Sequence, residues 1–329
     1  MAWLNAERFA AAVLCATLAG FAAGQAWAQS EEPIRPIPLD VRLDARKVAL
    51  GDKLFHDKRL SGDDTLSCAS CHALDRGGVD GRVTAIGIGG AVGPINVPTV
   101  LNSSFNFRQF WDGRAASLEE QAAGPVHNPK EMGSNWAQVI GKLSRDKALV
   151  GAFGEAYRDG LQPRNIQDAI ATFERSLTTP NSRFDKYLRG DKTALRADEQ
   201  RGYLLFKNYG CVACHQGVNV GGNMFQVFGV MGDYFAERTL TDADLGRFNV
   251  THDPADKHLF KVPSLRNVAL TAPYFHDGSA RTLDEAVDTM FRVQLGRPAP
   301  PQDKELVVKF LRTLTGELRG QPLEPRNLP

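Results

Sequence analysis

The sequence has few cysteines, nearly equal numbers of acidic and basic residues, and few long hydrophobic runs. Its 329 residues include five cysteines, and 39 basic against 38 acidic residues leave a formal net charge of +1. A chain without a basic excess lacks the general attraction for phosphate backbones on which nucleic-acid binding depends, so we expect no nucleic-acid partner. After the apolar run Phe9–Ala23, no second run of membrane length follows. We therefore expect no stable membrane insertion of the chain once that first run is removed.

The first 28 residues are typical of a secretory signal peptide. Arg8 precedes the apolar run Phe9–Ala23, and Ala26–Ala28 ends the segment with a small-x-small pattern. The mature chain is expected to begin near Gln29, which would remove Cys15 and leave four cysteines. An uncleaved anchor is the alternative, because the positive charge before the apolar run is weak. The pattern favours export to the periplasm.

The remaining cysteines form two Cys-x-x-Cys-His motifs, Cys68–His72 and Cys211–His215. In such a motif two thiols bond to the vinyl groups of a c-type haem, and the histidine becomes the proximal iron ligand. A thioredoxin-like dithiol or two structural disulfides are the alternatives, but neither accounts for a histidine after both cysteine pairs. The sequence therefore predicts two covalently bound c-type haems. The predicted attachment residues are Cys68, Cys71, His72, Cys211, Cys214 and His215.

The chain contains an internal repeat around these motifs. Gly51–Phe55 precedes the first motif and Gly202–Phe206 precedes the second, both with apolar residues at helical spacing. Each half closes with an amphipathic helix, predicted over Ala169–Leu177 and Val307–Leu314. An opening helix, a haem motif and a closing helix indicate an all-α fold of two tandem cytochrome c-type domains with long irregular loops. The predicted organisation is a signal peptide at 1–28, an N-terminal domain at 29–185 and a C-terminal domain at 186–329.

The sixth ligand of each iron decides between electron transfer and reaction with a small molecule. In the second half Met290 lies 75 residues after His215, and this position fits an axial ligand. It also fits the apolar face of a helix, so a core role stays open. The other methionines of that half, Met224 and Met231, lie in a glycine-rich loop and are weaker candidates. In the first half the spacing does not choose among His56, His127 and Met132.

Five segments together resemble the bacterial di-haem cytochrome c peroxidases, and the resemblance covers nearly the whole mature sequence. The segments are Leu66–His72, Gly93–Val100, Phe110–Ala115, Gln121–Pro125 and Leu270–His276. This resemblance implies that the haem on His72 is the low-potential centre that reacts with peroxide. It implies that the haem on His215, with Met290 opposite, is the high-potential centre that accepts electrons.

The resemblance also assigns roles to residues outside the motifs. It implies that Gln121 and Glu131 form the acid-base pair of the peroxide pocket and that Trp111 lies between the haems. A carboxylate such as Glu131 can take a proton from one peroxide oxygen and return it to the other, whereas Gln121 can only position the substrate. Without the resemblance, a solvated loop carboxylate is the favoured interpretation of Glu131, and Trp111 fits a core aromatic beside a turn.

A calcium ion between the domains is implied at Asn96 and at the backbone oxygens of Thr271 and Pro273. A homodimer is typical of the family. Many members have a histidine in the glycine-rich loop that ligates the resting first haem, and here the matching position is Ile88. Because isoleucine cannot ligate iron, we expect the first haem to be five-coordinate or water-bound even when fully oxidised.

Three functions are consistent with these features. The first is a periplasmic peroxidase that reduces hydrogen peroxide to water with electrons from a small reduced cytochrome c or cupredoxin. The second is a MauG-like enzyme that uses peroxide to oxidise a partner protein. The third is a di-haem electron carrier without catalytic activity, which would need two saturated irons. The sequence favours them in this order.

Overall fold

The computed structural model describes residues 32–236 and 238–324. From Ile34 onward the chain forms one structural unit. The predicted signal peptide, including its cleavage site and Cys15, lies outside the described residues. Within the described residues no helix is both long and apolar enough to cross a membrane.

The described chain is rich in helix and has little sheet, which agrees with the predicted helical fold. The α-helices are α1 (Ala45–Phe55), α2 (Cys68–Cys71), α3 (Leu118–His127), α4 (Trp136–Leu143), α5 (Lys147–Ala156), α6 (Pro163–Ser176), α7 (Arg183–Leu188), α8 (Ala197–Asn208), α9 (Phe248–Thr251), α10 (Leu283–Gln294) and α11 (Pro301–Arg312). Two antiparallel ribbons, which the sequence did not predict, pair β1 (Phe225–Val227) with β2 (Leu259–Lys261) and β3 (Glu317–Leu318) with β4 (Gln321–Pro322). Between α2 and α3 the chain forms only turns and short 3-10 segments, as the glycine content predicts.

The opening and closing helices of each half cross at a glycine. A Cβ atom added to Gly51 of α1 would lie 2.0 Å from the carbonyl oxygen of Ala169 in α6. A Cβ atom added to Gly202 of α8 would lie 2.0 Å from the carbonyl oxygen of Leu306 in α11. The missing side chain therefore lets each helix pair approach backbone to backbone. Both predicted closing helices are present and begin earlier than predicted, each with a proline in the first turn.

A second structural feature also occurs once in each half. The backbone amide of Asn102 donates to the carbonyl of Leu177 at 2.9 Å, and that of Asn267 donates to the carbonyl of Leu314 at 3.2 Å. Both side-chain amides then donate to the same hydroxyl, Thr179 Oγ1, at 2.7 and 2.9 Å. Equivalent asparagines thus connect the ends of both closing helices to one buried threonine.

Two large apolar clusters lie along the chain. One, around Phe153 and Ile170, takes its buried residues from positions 50–170. The other, around Phe291 and Phe310, takes most of its residues from positions 184–314. Phe184 of α7 belongs to the second cluster, so the predicted division at 185/186 falls inside a helix that packs there. The division into two domains stays a prediction.

Candidate functional site

The first Cys-x-x-Cys-His motif forms the short helix α2 and the residue that follows it. Ser67 and Ser70 cap the start of this helix, and the ring of His72 follows its C-terminal end. His72 Nδ1 donates to the carbonyl oxygen of Gly78 at 3.1 Å, so the tautomer with a bare Nε2 is fixed. Burial lowers the pKa of His72, which keeps the ring neutral, as an iron ligand must be.

The second motif repeats this arrangement on a 3-10 turn, Cys211–Ala213. His215 Nδ1 donates to the carbonyl oxygen of Val220 at 3.4 Å. Burial lowers the pKa of His215 to about 4. Both imidazoles are therefore oriented by a backbone carbonyl a few residues later in the chain, which is the usual way in which a metal-binding histidine is held.

The four motif cysteines are half-buried and form no disulfide. Burial raises the pKa of Cys68 to about 12 and those of Cys71 and Cys211 to about 11. A dithiol that exchanges disulfides needs a lowered pKa, so the thioredoxin-like alternative does not fit this environment. Paired half-buried thiols beside a neutral histidine fit covalently attached haem at both motifs.

The predicted acid-base residues lie on α3 and the turn after it. Gln121 is half-buried in the middle of α3. The turn folds back on the end of that helix, where the amide of Met132 donates to the carbonyl of Pro125 at 3.1 Å. Glu131 is half-buried in this turn, and Asn128 Nδ2 donates to Glu131 Oε1 at 2.7 Å. The structure thus brings Glu131 to the α3 end that follows Gln121.

Glu131 has the electrostatics of an interior carboxyl group. Burial raises its pKa, against the opposing effects of the Asn128 hydrogen bond and the charge of Arg114. After burial and Asp80, its charge also contributes to the raised pKa of Cys71, which indicates that it lies close to the first motif. A solvated loop carboxylate would show neither property, so the alternative left open by the sequence does not fit.

The glycine-rich loop covers Glu131 from one side. The amide of Ile88 donates to the carbonyl of Glu131 at 2.8 Å. A Cβ atom on Gly133 would lie 2.2 Å from Ile88 Cδ1, so the isoleucine side chain lies directly against the Glu131–Gly133 backbone. Ile88 therefore holds the glycine-rich loop against the backbone of the turn that contains Glu131.

Trp111 and Met290 contact one apolar cluster. Its buried residues are Phe228, Phe235, Phe260 and Val293. Both Trp111, from the first half, and Met290, from α10, are partly buried against it. Trp111 Nε1 donates to the carbonyl oxygen of Asn96 at 3.0 Å, and the carbonyl of Trp111 accepts from the amide of Lys261 at 2.8 Å. Trp111 is therefore held between segments that belong to the two halves of the sequence.

The other ligand candidates differ in their surroundings. His56 is exposed and bonds to the carbonyl of Asp52, and His127 is exposed with its ring 5.4 Å from that of Trp136. Met132 is buried in the first apolar cluster.

In the second half Met231 is 64% exposed and Met224 is half-buried. Among the three methionines of that half, Met290 is the one that shares an apolar cluster with Trp111.

Each of the three residues implied for calcium has an oxygen atom that accepts no hydrogen bond from the described residues. Asn96 uses its side-chain nitrogen to donate to the carbonyls of Arg82 and Val83, at 2.8 and 3.3 Å. Among the described residues no donor reaches Asn96 Oδ1 or the carbonyl oxygens of Thr271 and Pro273. The amide of Asn96 donates to the carbonyl of His276 at 2.8 Å, which holds it against the segment that contains the other two residues. Oxygen donors of this kind suit calcium.

Sequence reasoning missed three polar residues at these sites. Asn128 orients Glu131. Its position three residues before Glu131 is the sequence feature that could have indicated this contact. His276 is buried, and its Nε2 lies 2.8 Å from Asp244 Oδ1. It occupies the position of Trp111 in the second copy of the pattern Phe-x-Asp-Gly, which Phe110–Gly113 and Phe275–Gly278 share. The third is Lys261, which is buried in β2.

Comparison with known proteins agrees with this site. The family described as di-haem cytochrome c peroxidase matches residues 45–193. Cytochrome c peroxidase Ccp of Escherichia coli is 55% identical over 87% of this chain, but the match spans only 61% of that protein. Cytochrome c551 peroxidase of Nitrosomonas europaea is 48% identical over 88% of this chain and 85% of its own length.

A solved structure supports the same assignment. The crystal structure of a MauG-like protein associated with microbial copper homeostasis superposes with a TM-score of 0.73 at 31% identity, and covers 88% of this chain and 95% of that one. The identity to this MauG-like protein is lower than to the two peroxidases, so the MauG-like alternative has less support. The peroxidase class predicted from the sequence is confirmed at the level of the family, which implies two haems. The chain belongs to the di-haem cytochrome c peroxidase family.

Proposed function

We propose that this protein reduces hydrogen peroxide to water at the first haem motif, with electrons that enter at the second. The observation that carries the proposal is the buried carboxyl of Glu131 beside Cys68–His72, in a chain that holds a second haem motif. An electron carrier needs no interior acid-base group. When bound, the haems supply the iron that binds peroxide and the redox centres that store electrons.

Glu131 is proposed to hold and return the proton of the substrate. Its raised pKa brings the carboxyl closer to the pH at which a single group can act as both base and acid. Asn128 fixes one carboxyl oxygen at 2.7 Å, which leaves the other oxygen for the substrate. Gln121, in the middle of α3, is proposed to position the peroxide by hydrogen bonding.

Electron entry is proposed at the haem on His215, with Met290 as its sixth ligand and Trp111 between the two haems. The contacts of Met290 and Trp111 with one apolar cluster support this assignment. The donor is proposed to be a small reduced cytochrome c or cupredoxin.

The remaining proposals concern the whole protein. We propose two cytochrome c-type domains, a Ca²⁺ ion held by Asn96, Thr271 and Pro273, and a homodimer in the periplasm. The repeated glycine crossings and asparagine contacts support the two domains. The donor-free oxygens support the calcium site, and the sequence of residues 1–28 supports export.

The direct test is peroxide-dependent oxidation of a reduced cytochrome c or cupredoxin under steady-state conditions. We expect turnover with two donor molecules oxidised for each peroxide consumed. The double variant C68A/C71A should lose turnover and retain one haem, whereas an electron carrier would show no turnover in either form. Oxidised Trp or Tyr residues on an added partner protein, without donor oxidation, would instead indicate the MauG-like activity.

A further inference from the structure

Lys261 is a buried residue whose ammonium group has no hydrogen-bond or ion-pair partner in the described chain. The residue is 6% exposed, and its backbone is fixed in β2 opposite Phe225. Among the described residues, no carboxylate, carbonyl or hydroxyl oxygen forms a hydrogen bond or ion pair with its Nζ. Burial alone acts on the group and lowers its pKa to about 8. An unpaired charge in a protein interior is costly, so a buried lysine of this kind normally has a counter-charge.

The backbone around Lys261 lies close to the second haem motif. Two residues after Lys261, the carbonyl oxygen of Pro263 packs against Gly221, and His215 Nδ1 lies against the same glycine. On the other side the amide of Lys261 donates to the carbonyl of Trp111. The strand that contains Lys261 therefore contacts Trp111, and the chain two residues later packs against the same glycine as the proximal histidine of the second motif.

We propose that the ammonium of Lys261 forms an ion pair with a propionate carboxylate of the haem attached at Cys211–His215. A c-type haem brings two carboxylates, and they are the anions that the proposed haem attachment adds to this region. The described chain supplies none to Lys261. This inference rests on haem attachment at the second motif but not on peroxidase activity.

The ion pair gives Lys261 a function beyond holding the haem. A fixed positive charge near the iron favours the reduced state, which carries one charge less. The pair therefore helps to keep the second haem at the higher potential that an electron-accepting centre needs.

The test is a spectroelectrochemical titration of the variants Lys261→Met and Lys261→Arg. Methionine matches the length of the lysine chain and removes its charge, whereas arginine keeps the charge. At a fixed potential we expect the reduced-to-oxidised ratio of the second haem to fall about tenfold in K261M, the effect of one unit charge at roughly 10 Å and an effective dielectric constant of about 20. K261R should stay near the wild-type ratio. The exposed Lys257, changed to Met, is the matched control and should leave the ratio unchanged.

Haem content is measured first, by the pyridine haemochrome assay and intact mass. One haem or none in the wild type would remove the premise, and this result is distinct from a failure of peroxidase activity. If K261M does not assemble with two haems, K261Q replaces it, because glutamine removes the charge and keeps a polar group. An unchanged potential of the second haem in a neutral variant that holds two haems would overturn the proposal, as would a shift confined to the first haem.

Discussion

At the scale of single residues, the environment of Glu131 distinguishes this site from that of an electron carrier. The carboxyl is half-buried and hydrogen-bonded to Asn128, and the amide of Ile88 donates to the backbone carbonyl of Glu131. The Glu131→Gln variant keeps the shape and the hydrogen-bonding capacity but cannot exchange a proton. We expect kcat/KM for peroxide to fall by about 10²- to 10⁴-fold. Steady-state assays check this, with the exposed Glu155→Gln as the control.

The pH dependence of the wild type follows from the same carboxyl. Because burial raises the pKa of Glu131, the basic form that accepts the first proton is lost at a higher pH than for an exposed glutamate. Activity should therefore fall on acidification through a pKa above the ordinary glutamate value. An acid limb that is unchanged in E131Q would contradict this assignment.

Ile88 determines whether the first haem is open in the resting protein. The amide of Ile88 donates to the carbonyl of Glu131, and its side chain contacts Gly133. A histidine at position 88 would therefore lie next to the turn that forms the proposed peroxide pocket. We expect Ile88→His to make the oxidised first haem low-spin and the oxidised enzyme slow, with activity restored after addition of one electron. Val92→His, at a position 65% exposed in the same loop, is the control and should remain high-spin. Equal spectra for the two variants would show that the loop does not reach the haem.

At the scale of secondary structure, each half depends on a helix crossing with no room for a side chain. A methyl group on Gly51 would lie 2.0 Å from the carbonyl of Ala169, so Gly51→Ala must push α1 and α6 apart. We expect a loss of about 1 to 3 kcal/mol in the free energy of unfolding. Gly151→Ala in α5, where no atom lies within 4 Å, should instead stabilise by about 0.5 to 1 kcal/mol. Denaturant titrations of both variants test the prediction, and equal effects would contradict it.

Helix α6 also contains a buried acid that couples stability to pH. Burial raises the pKa of Glu174 to about 8, well above its ordinary value of 4.5. Between these two values the folded state binds more protons than the unfolded state, so stability falls as pH rises through this window. Glu174→Gln removes the penalty. We expect the variant to be more stable than wild type by a few kcal/mol at pH 9, since one pKa unit corresponds to about 1.4 kcal/mol, and to match it at pH 5.

The control for this prediction is Glu155→Gln, which changes an exposed acid on α5. Its difference from wild type should be small and independent of pH. A stabilisation by E174Q that is equally large at pH 5 and pH 9 would contradict the proposed protonation.

At the scale of the whole molecule, the two Cys-x-x-Cys-His motifs, the internal repeat and the family could all be identified from the sequence. The predicted helices around Gly51, Ile170 and Met290 are present. They could be predicted because apolar residues at helical spacing indicate which face of a helix is buried. Sequence spacing could not show which polar groups become buried, because burial depends on distant segments. The buried Lys261, to which the described chain supplies no acceptor, and the contact between Ile88 and Gly133 are both of this kind.

The central claim is that a peroxide-reactive haem and an electron-accepting haem coexist in one chain. The most direct measurement is electron paramagnetic resonance and absorption spectroscopy of the fully oxidised protein, repeated after one electron equivalent is added. We predict one high-spin haem beside one low-spin His/Met haem at the start, because Ile88 supplies no ligand. Two low-spin haems that persist in every redox state would contradict the claim and leave only an electron carrier.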